Sequence, residues 1–165
     1  QLLGQTLPAD FRKEVIETLL TDKEAKPAAQ EAFGTIAALR KMRPQTISTL
    51  GRPERMSLFV TSLGQPAMEN AAMQALQVWF LRKGRPLMSQ LLDAWKISHT
   101  DGELSDDAEL PVLSAEQIRS ACTEALKTHS KAAVTAYLAY NHLAPSVEGW
   151  DESFGTVLAE QLSGN

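Results

Sequence analysis

Apolar residues at helical spacing recur between short proline and glycine connections, and this pattern constrains the fold more than any other feature. After Pro8, the residues Phe11, Val15 and Leu19 fall on one face of a helix. Similar stripes follow in almost every segment, whereas no segment sustains the alternation of a β-strand. Because short connections favour antiparallel neighbours, the sequence predicts an all-α fold of about eight antiparallel helices.

A basic hexapeptide occurs twice, forty-two residues apart and with five of its six positions identical: Leu39-Arg40-Lys41-Met42-Arg43-Pro44 and Leu81-Arg82-Lys83-Gly84-Arg85-Pro86. Each copy is typical of the basic end of one helix followed by a proline that starts the next. The spacing matches the length of HEAT or armadillo repeats, which predicts a solenoid-like array of helical hairpins. The period breaks after Pro86, so an irregular helical bundle stays open as the alternative.

Several helix ends are indicated by capping residues. Ser114 with Gln117 forms a capping-box pattern at the start of one helix, and Ser130 is a predicted N-cap of the next. Asp151 is the predicted N-cap of the last helix, and Gly84 the predicted C-cap before Pro86. These signals place helix boundaries but do not choose between an array and a bundle.

With 165 residues, of which 44% are apolar, the chain can bury the core of one helical domain over residues 1–165. Its single cysteine, Cys122, excludes an internal disulfide, and no apolar run has the length of a membrane span. Since residue 1 is Gln, we expect either a fragment of a longer protein or a processed product. A cytoplasmic location is favoured, with a periplasmic or secreted one as the alternative.

The net charge of −4 is unevenly distributed. Residues 1–39 carry a net −2, the basic half 40–96 carries +6, and residues 97–165 carry −8. The acidic part includes a long polar loop over residues 100–113, which we expect to be mobile and open to proteolysis. The segments either neutralise one another within one fold or form two surfaces of opposite sign.

If successive hairpins stack, the basic corners fall along one edge. We call this predicted surface the basic ridge; it comprises Arg40, Lys41, Arg43, Arg52, Arg55, Arg82, Lys83 and Arg85. A ridge of this kind binds phosphate backbones or an acidic protein surface. Trp79, one turn before Arg82, either stacks on a base or belongs to the core.

Candidate catalytic and metal-binding residues are few. A calcium loop centred on Gly102 fails because Ile97 and Ala108 would occupy ligand positions. Cys122 and His129 share a helical face but are too far apart along it for a dyad, and the three histidines lack zinc-ligand spacing. The sequence therefore predicts no metal, no cofactor and no enzymatic activity.

The leading interpretation is a non-enzymatic helical interaction domain whose basic ridge binds an acidic partner, either nucleic acid or an acidic protein surface. The alternative is a protein–protein scaffold or regulatory domain that binds through an apolar groove between helices. The oligomeric state is left open.

Overall fold

A computed structural model describes residues 6–164. The described part of the chain is about 69% helical and contains nine α-helices, one 3₁₀ helix and one two-stranded sheet. The predicted all-α class is therefore confirmed. The described chain divides into two compact units, with the division between Trp79 and Phe80. The single domain over 1–165, the antiparallel order and the choice between array and bundle stay predictions.

The first unit is built from four helices, a 3₁₀ helix and most of a fifth helix: α1 (Ala9–Thr21), α2 (Lys26–Leu39), α3 (Pro44–Ser48), α4 (Arg52–Ser62), the 3₁₀ helix Pro66–Met68, and α5 (Glu69–Arg82). Prolines in the first turns of α2, α3 and α4 explain their starts, because a first-turn residue needs no helical N–H partner. α4 packs against both α1 and α2. The core of this unit includes Ile16, Ile36, Phe59 and Leu76.

The second unit continues with α6 (Arg85–Ala94), strands β1 (His99–Thr100) and β2 (Glu103–Leu104), then α7 (Ala115–Ala125), α8 (Lys131–Leu143) and α9 (Trp150–Ser163). α9 packs against α7 and α8, and α6 packs against α7. Its core holds an aromatic cluster in which the ring of Phe154 lies 5.2 Å from Trp150, 5.8 Å from Trp95 and 6.4 Å from Tyr137.

The structure tests the predicted caps one by one. The Ser114–Gln117 capping box is confirmed, and the Ser130 hydroxyl accepts a hydrogen bond from the Ala133 amide as an N-cap should. The Asp151 cap is wrong, because the N-cap is Gly149, two residues earlier and at φ +98°, and α9 begins at Trp150. Gly84 ends α5 through its amide, which donates to the Phe80 carbonyl at 3.1 Å, and it is also the N-cap of α6; its φ of −101° is not the left-handed conformation usual for a C-cap glycine.

Two lysines, rather than glycines, close helices in the left-handed conformation. Lys41 after α2 has φ +53° and Lys96 after α6 has φ +56°. In each case the next amide reaches back to the helix: Met42 donates to the Ala37 carbonyl and Ile97 to the Leu92 carbonyl, both at 2.9 Å. These are Schellman ends. The two hexapeptide copies thus differ locally, since Lys83 lacks the positive φ of Lys41.

The predicted loop over residues 100–113 needs a correction at its beginning. Thr100 pairs with Glu103 and His99 with Leu104 in an antiparallel hairpin. Asp101 and Gly102 both have positive φ, +51° and +90°, which is the geometry of a type I′ turn. The Asp-Gly dipeptide is the usual sequence signal for this turn. Asp101 and Gly102 therefore form the turn of a hairpin and are not part of a calcium loop.

The hairpin is held against α6 by side chains from both elements. His99 Nε2 lies 2.7 Å from Asp93 Oδ1, and its Nδ1 accepts a hydrogen bond from the Gly102 amide. From Ser105 to Ser114 the chain has no helix or strand. Proteolysis is therefore expected beyond the hairpin, at the exposed residues around Asp106 and Asp107, rather than throughout residues 100–113. In the described part of the chain, no helix is long and apolar enough to cross a membrane.

Candidate functional site

An open cleft of about 730 Å³ lies in the first unit. It is enclosed by the end of α1, the α1–α2 connection, one face of α2, the short helix α3 and the start of α4. Its apolar lining includes Leu19, Ala29, Phe33 and Ile47; Phe33 is half-buried and the other three are buried. A volume of this size is typical of sites that hold ligand groups or anchoring side chains.

The α2 wall of the cleft is a single helical face. The lining residues Lys26, Ala29, Gln30, Phe33 and Gly34 are spaced i, i+3, i+4, i+7 and i+8, so they lie on one stripe of the helix. A second stripe, which includes Ala32 and Ile36, faces the core. Helix α2 therefore has one face toward the core and another face on the cleft.

Four cations line the cleft, and we call them the cleft cations: Lys23, Lys26, Arg52 and Arg55. Across residues 6–164 their side chains make no ion pair and no hydrogen bond. The one carboxylate among the lining residues, Asp22, accepts a hydrogen bond from the Glu24 amide. With four positive charges and one negative, the cleft has a formal charge of +3. Its potential therefore favours an anionic ligand.

Only two residues of the predicted basic ridge, Arg52 and Arg55, line this cleft. Arg40, at the end of α2, instead donates to the Thr61 hydroxyl at 2.7 Å and to the Ser62 hydroxyl at 3.2–3.3 Å, which connects α2 to the end of α4. Lys41 and Arg43 are exposed in the turn that follows α2. Within the first unit, the ridge residues therefore have different roles.

The ridge residues of the second unit stand around the start of α6. Arg82 and Lys83 are exposed, whereas Arg85 is only 28% exposed at its side chain. Arg85 donates to the carbonyl oxygens of Leu81 at 2.7 Å and Asp101 at 3.0 Å, and its Nη1 lies 3.1 Å from Glu103 Oε2. The positive charge of Arg85 is thus paired with Glu103 of the hairpin. The two groups of cations lie in different units, and their convergence into one ridge stays a prediction.

Trp79 is a core residue of the first unit. It is 7% exposed, its ring meets Phe11 edge-on at 4.9 Å, and its indole N–H donates to Glu14 Oε2 at 2.7 Å. Because the ring is buried, we do not expect Trp79 to stack on a base.

The residues considered for catalysis lie in structural positions. His129 Nε2 is 3.1 Å from Gln90 Oε1, and His142 Nδ1 is 2.7 Å from the Asp151 carbonyl oxygen, to which it donates. Burial raises the pKa of the Cys122 thiol to about 12, which leaves it protonated at neutral pH. Throughout the described residues, no group of three or more His, Cys, Asp or Glu side chains is arranged to hold a metal ion.

We expect the stability of the protein to fall at alkaline pH because of Cys122. The folded state holds the thiol protonated, so its pKa of about 12 exceeds the ordinary value of 9.0 that applies after unfolding. The contribution of the buried, protonated Cys122 thiol to the free energy of unfolding is complete below pH 9.0 and is lost as the pH rises toward about 12. The slope for this one group is about 1.4 kcal/mol per pH unit. Urea melts of the wild type and of Cys122→Ala between pH 8 and 11 measure it; parallel declines would contradict the assignment.

The most informative site residues were not identified from the sequence: Lys23, Lys26, Phe33 and Gly34. Lys26, Phe33 and Gly34 are spaced i, i+7 and i+8 on α2, and Lys23 lies three residues before the helix. The helical pattern places Phe33 on the same apolar stripe as Ile36, so the sequence accounts for this helix without a second functional face.

The described chain is thus an all-α protein with a cationic, apolar-floored cleft in its first unit. Comparison with models of protein families, with curated proteins and with solved structures finds no match.

Proposed function

We propose that this chain is a non-enzymatic interaction domain that binds an acidic partner through the cleft of its first unit. The observation that carries the proposal is the set of four cleft cations around an apolar floor, with no carboxylate of the described chain paired to them. Cations that find no partner within their own fold are available to an external anion.

An acidic polypeptide is favoured over nucleic acid as the partner. A phosphate backbone is bound by cations and polar groups alone. The half-buried Leu20 and Phe33 and the exposed Pro44, with the buried Leu19 and Ile47 behind them, provide an apolar floor that a polypeptide with apolar side chains can use. In this proposal the cleft combines the two features predicted from the sequence, a basic surface and an apolar groove.

Salt-dependent binding tests this function. The whole chain is titrated against a fluorescently labelled poly-glutamate peptide and a labelled single-stranded oligonucleotide, at about 50 and 200 mM salt. We expect micromolar or weaker binding of the acidic peptide that declines with salt, because screening reduces the attraction of exposed charges. Arg52→Gln with Arg55→Gln should weaken this binding at least tenfold.

The matched control removes two positive charges from the second unit, through Lys127→Gln and Lys131→Gln. This control should leave the affinity within about twofold of the wild type, since neither lysine lines the cleft. Equal losses in both double variants would reduce the binding to net charge and contradict the proposal. Tighter binding of the oligonucleotide than of the peptide would move the function to nucleic acid.

A further inference from the structure

One glycine on the cleft wall has no explanation within the chain itself. Gly34 lies in the interior of α2 and is exposed, and a Cβ added there would meet no atom within 4 Å. Its φ is not positive, so the backbone does not require glycine. Glycine destabilises a helix interior relative to alanine, so its presence in this position points to a need for space outside the helix.

The space beside Gly34 belongs to the cleft. Gly34 leaves one end of the α2 face low, next to the half-buried Phe33, whereas Lys26 and Gln30 have long side chains toward the other end. From Lys26 to Gly34 the stripe covers about 12 Å of helix at 1.5 Å per residue. A wall of this length matches about two turns of an approaching helix, whose backbone can come closest at Gly34, where the wall has no side chain.

The charges around the cleft indicate which charge the residues beside the occupant's apolar stripe should carry. Lys23 and Lys26 come from the α1–α2 connection and the start of α2, whereas Arg52 and Arg55 come from α4. An amphipathic helix that places its apolar stripe on the floor would carry its flanking residues toward these cations. Carboxylates at those flanking positions complement the +3 charge of the cleft.

We infer that the cleft holds an acidic amphipathic α-helix of a partner protein, with apolar residues at i, i+3 or i+4, and i+7 on the floor and glutamate or aspartate beside them. This inference rests on the proposed function and specifies its partner. Binding then depends on the pattern of the partner's apolar residues and on the empty space at Gly34, and not on negative charge alone.

The test uses two peptides of about 16 residues with the same leucine and glutamate composition. One has the leucines at helical spacing, and the other has them scrambled. Each is labelled and titrated against the whole chain by fluorescence anisotropy. The patterned peptide should bind at least tenfold more tightly than the scrambled one.

Three variants of α2 locate the binding. Gly34→Gln should lower the affinity for the patterned peptide at least tenfold by filling the groove, and Gly34→Glu should lower it further by repulsion. Neither change should lower the thermal midpoint, because the added side chain enters open space and improves helix propensity. The matched control is Ala38→Gln, an exposed position of the same helix outside the cleft, which should bind like the wild type.

The outcomes separate this inference from the broader function. If both peptides bind equally and Gly34→Gln has no effect, while Arg52→Gln with Arg55→Gln still weakens binding, the helical occupant is wrong and acidic binding stands. If neither peptide binds at about 50 mM salt, both proposals fail. If the oligonucleotide binds more tightly than the patterned peptide, the partner is nucleic acid and the inference is overturned.

Discussion

Gly102→Ala is expected to lower the free energy of unfolding by about 2–5 kcal/mol. Gly102 has φ +90°, which costs a residue with a Cβ about 1–2 kcal/mol. Its new Cβ would lie 2.9 Å from Met88 Cβ and 3.2 Å from the Arg85 carbonyl oxygen, both on α6. Overpacking of this kind adds about 1–3 kcal/mol. Denaturant melts followed by circular dichroism measure the loss.

Gly149→Ala is the matched control for this prediction, because it has the same backbone requirement without the crowding. Gly149 has φ +98°, but an added Cβ would meet only Val112 Cγ1, at an ordinary contact distance of 3.7 Å. We expect a loss of about 1–2 kcal/mol from backbone strain alone. Equal losses at the two glycines would show that the hairpin does not press on α6 as the structure describes.

Phe154→Ala is expected to lower the free energy of unfolding by about 3–5 kcal/mol. The Phe154 side chain is fully buried, and it contacts Trp95, Tyr137 and Trp150. Removal of the ring leaves a cavity among three aromatic side chains and also removes the edge-to-face contact with Trp95. Tryptophan emission should shift to longer wavelength as water gains access, and urea melts give the stability change.

Phe154→Leu separates the effect of lost apolar volume from the effect of lost aromatic ring contacts. Leucine keeps much of the apolar volume, so we expect a loss of less than about 1.5–2 kcal/mol. A cost below about 1 kcal/mol for Phe154→Ala would mean that the cluster is not the core of the second unit. If Phe154→Leu proved as costly as Phe154→Ala, ring geometry rather than volume would hold the cluster together.

Most helices and two of their caps could be predicted from the sequence because their causes are local. The stripe Phe11, Val15, Leu19 reports a helix from residues four apart, and all three are buried in the structure. The hydroxyls of Ser114 and Ser130 reach amides only three residues away. Such contacts depend little on the rest of the fold, so the pattern is sufficient to place them.

Helix ends that depend on packing were predicted less well. Lys41 and Lys96 take the left-handed conformation that glycine usually supplies, and no local signal marks them. Gly84 follows the end of α5 without the left-handed conformation expected of a C-cap glycine, and it is at the same time the N-cap of α6. At these positions the paths of the following segments decide the backbone, and propensity is too weak to oppose them.

Local pattern was sufficient to predict that the chain is helical, where most helices begin, and that residues 40–96 carry an excess of positive charge. The contacts of the folded chain set which cations have a partner: Arg85 is paired with Glu103, whereas Arg52 and Arg55 share a cleft with Lys23 and Lys26. These two kinds of feature depend on interactions of different range. Helical periodicity is set by neighbours within about four residues, but a cleft is made where helix faces far apart in the chain meet or leave space, and no pattern within one helix records that.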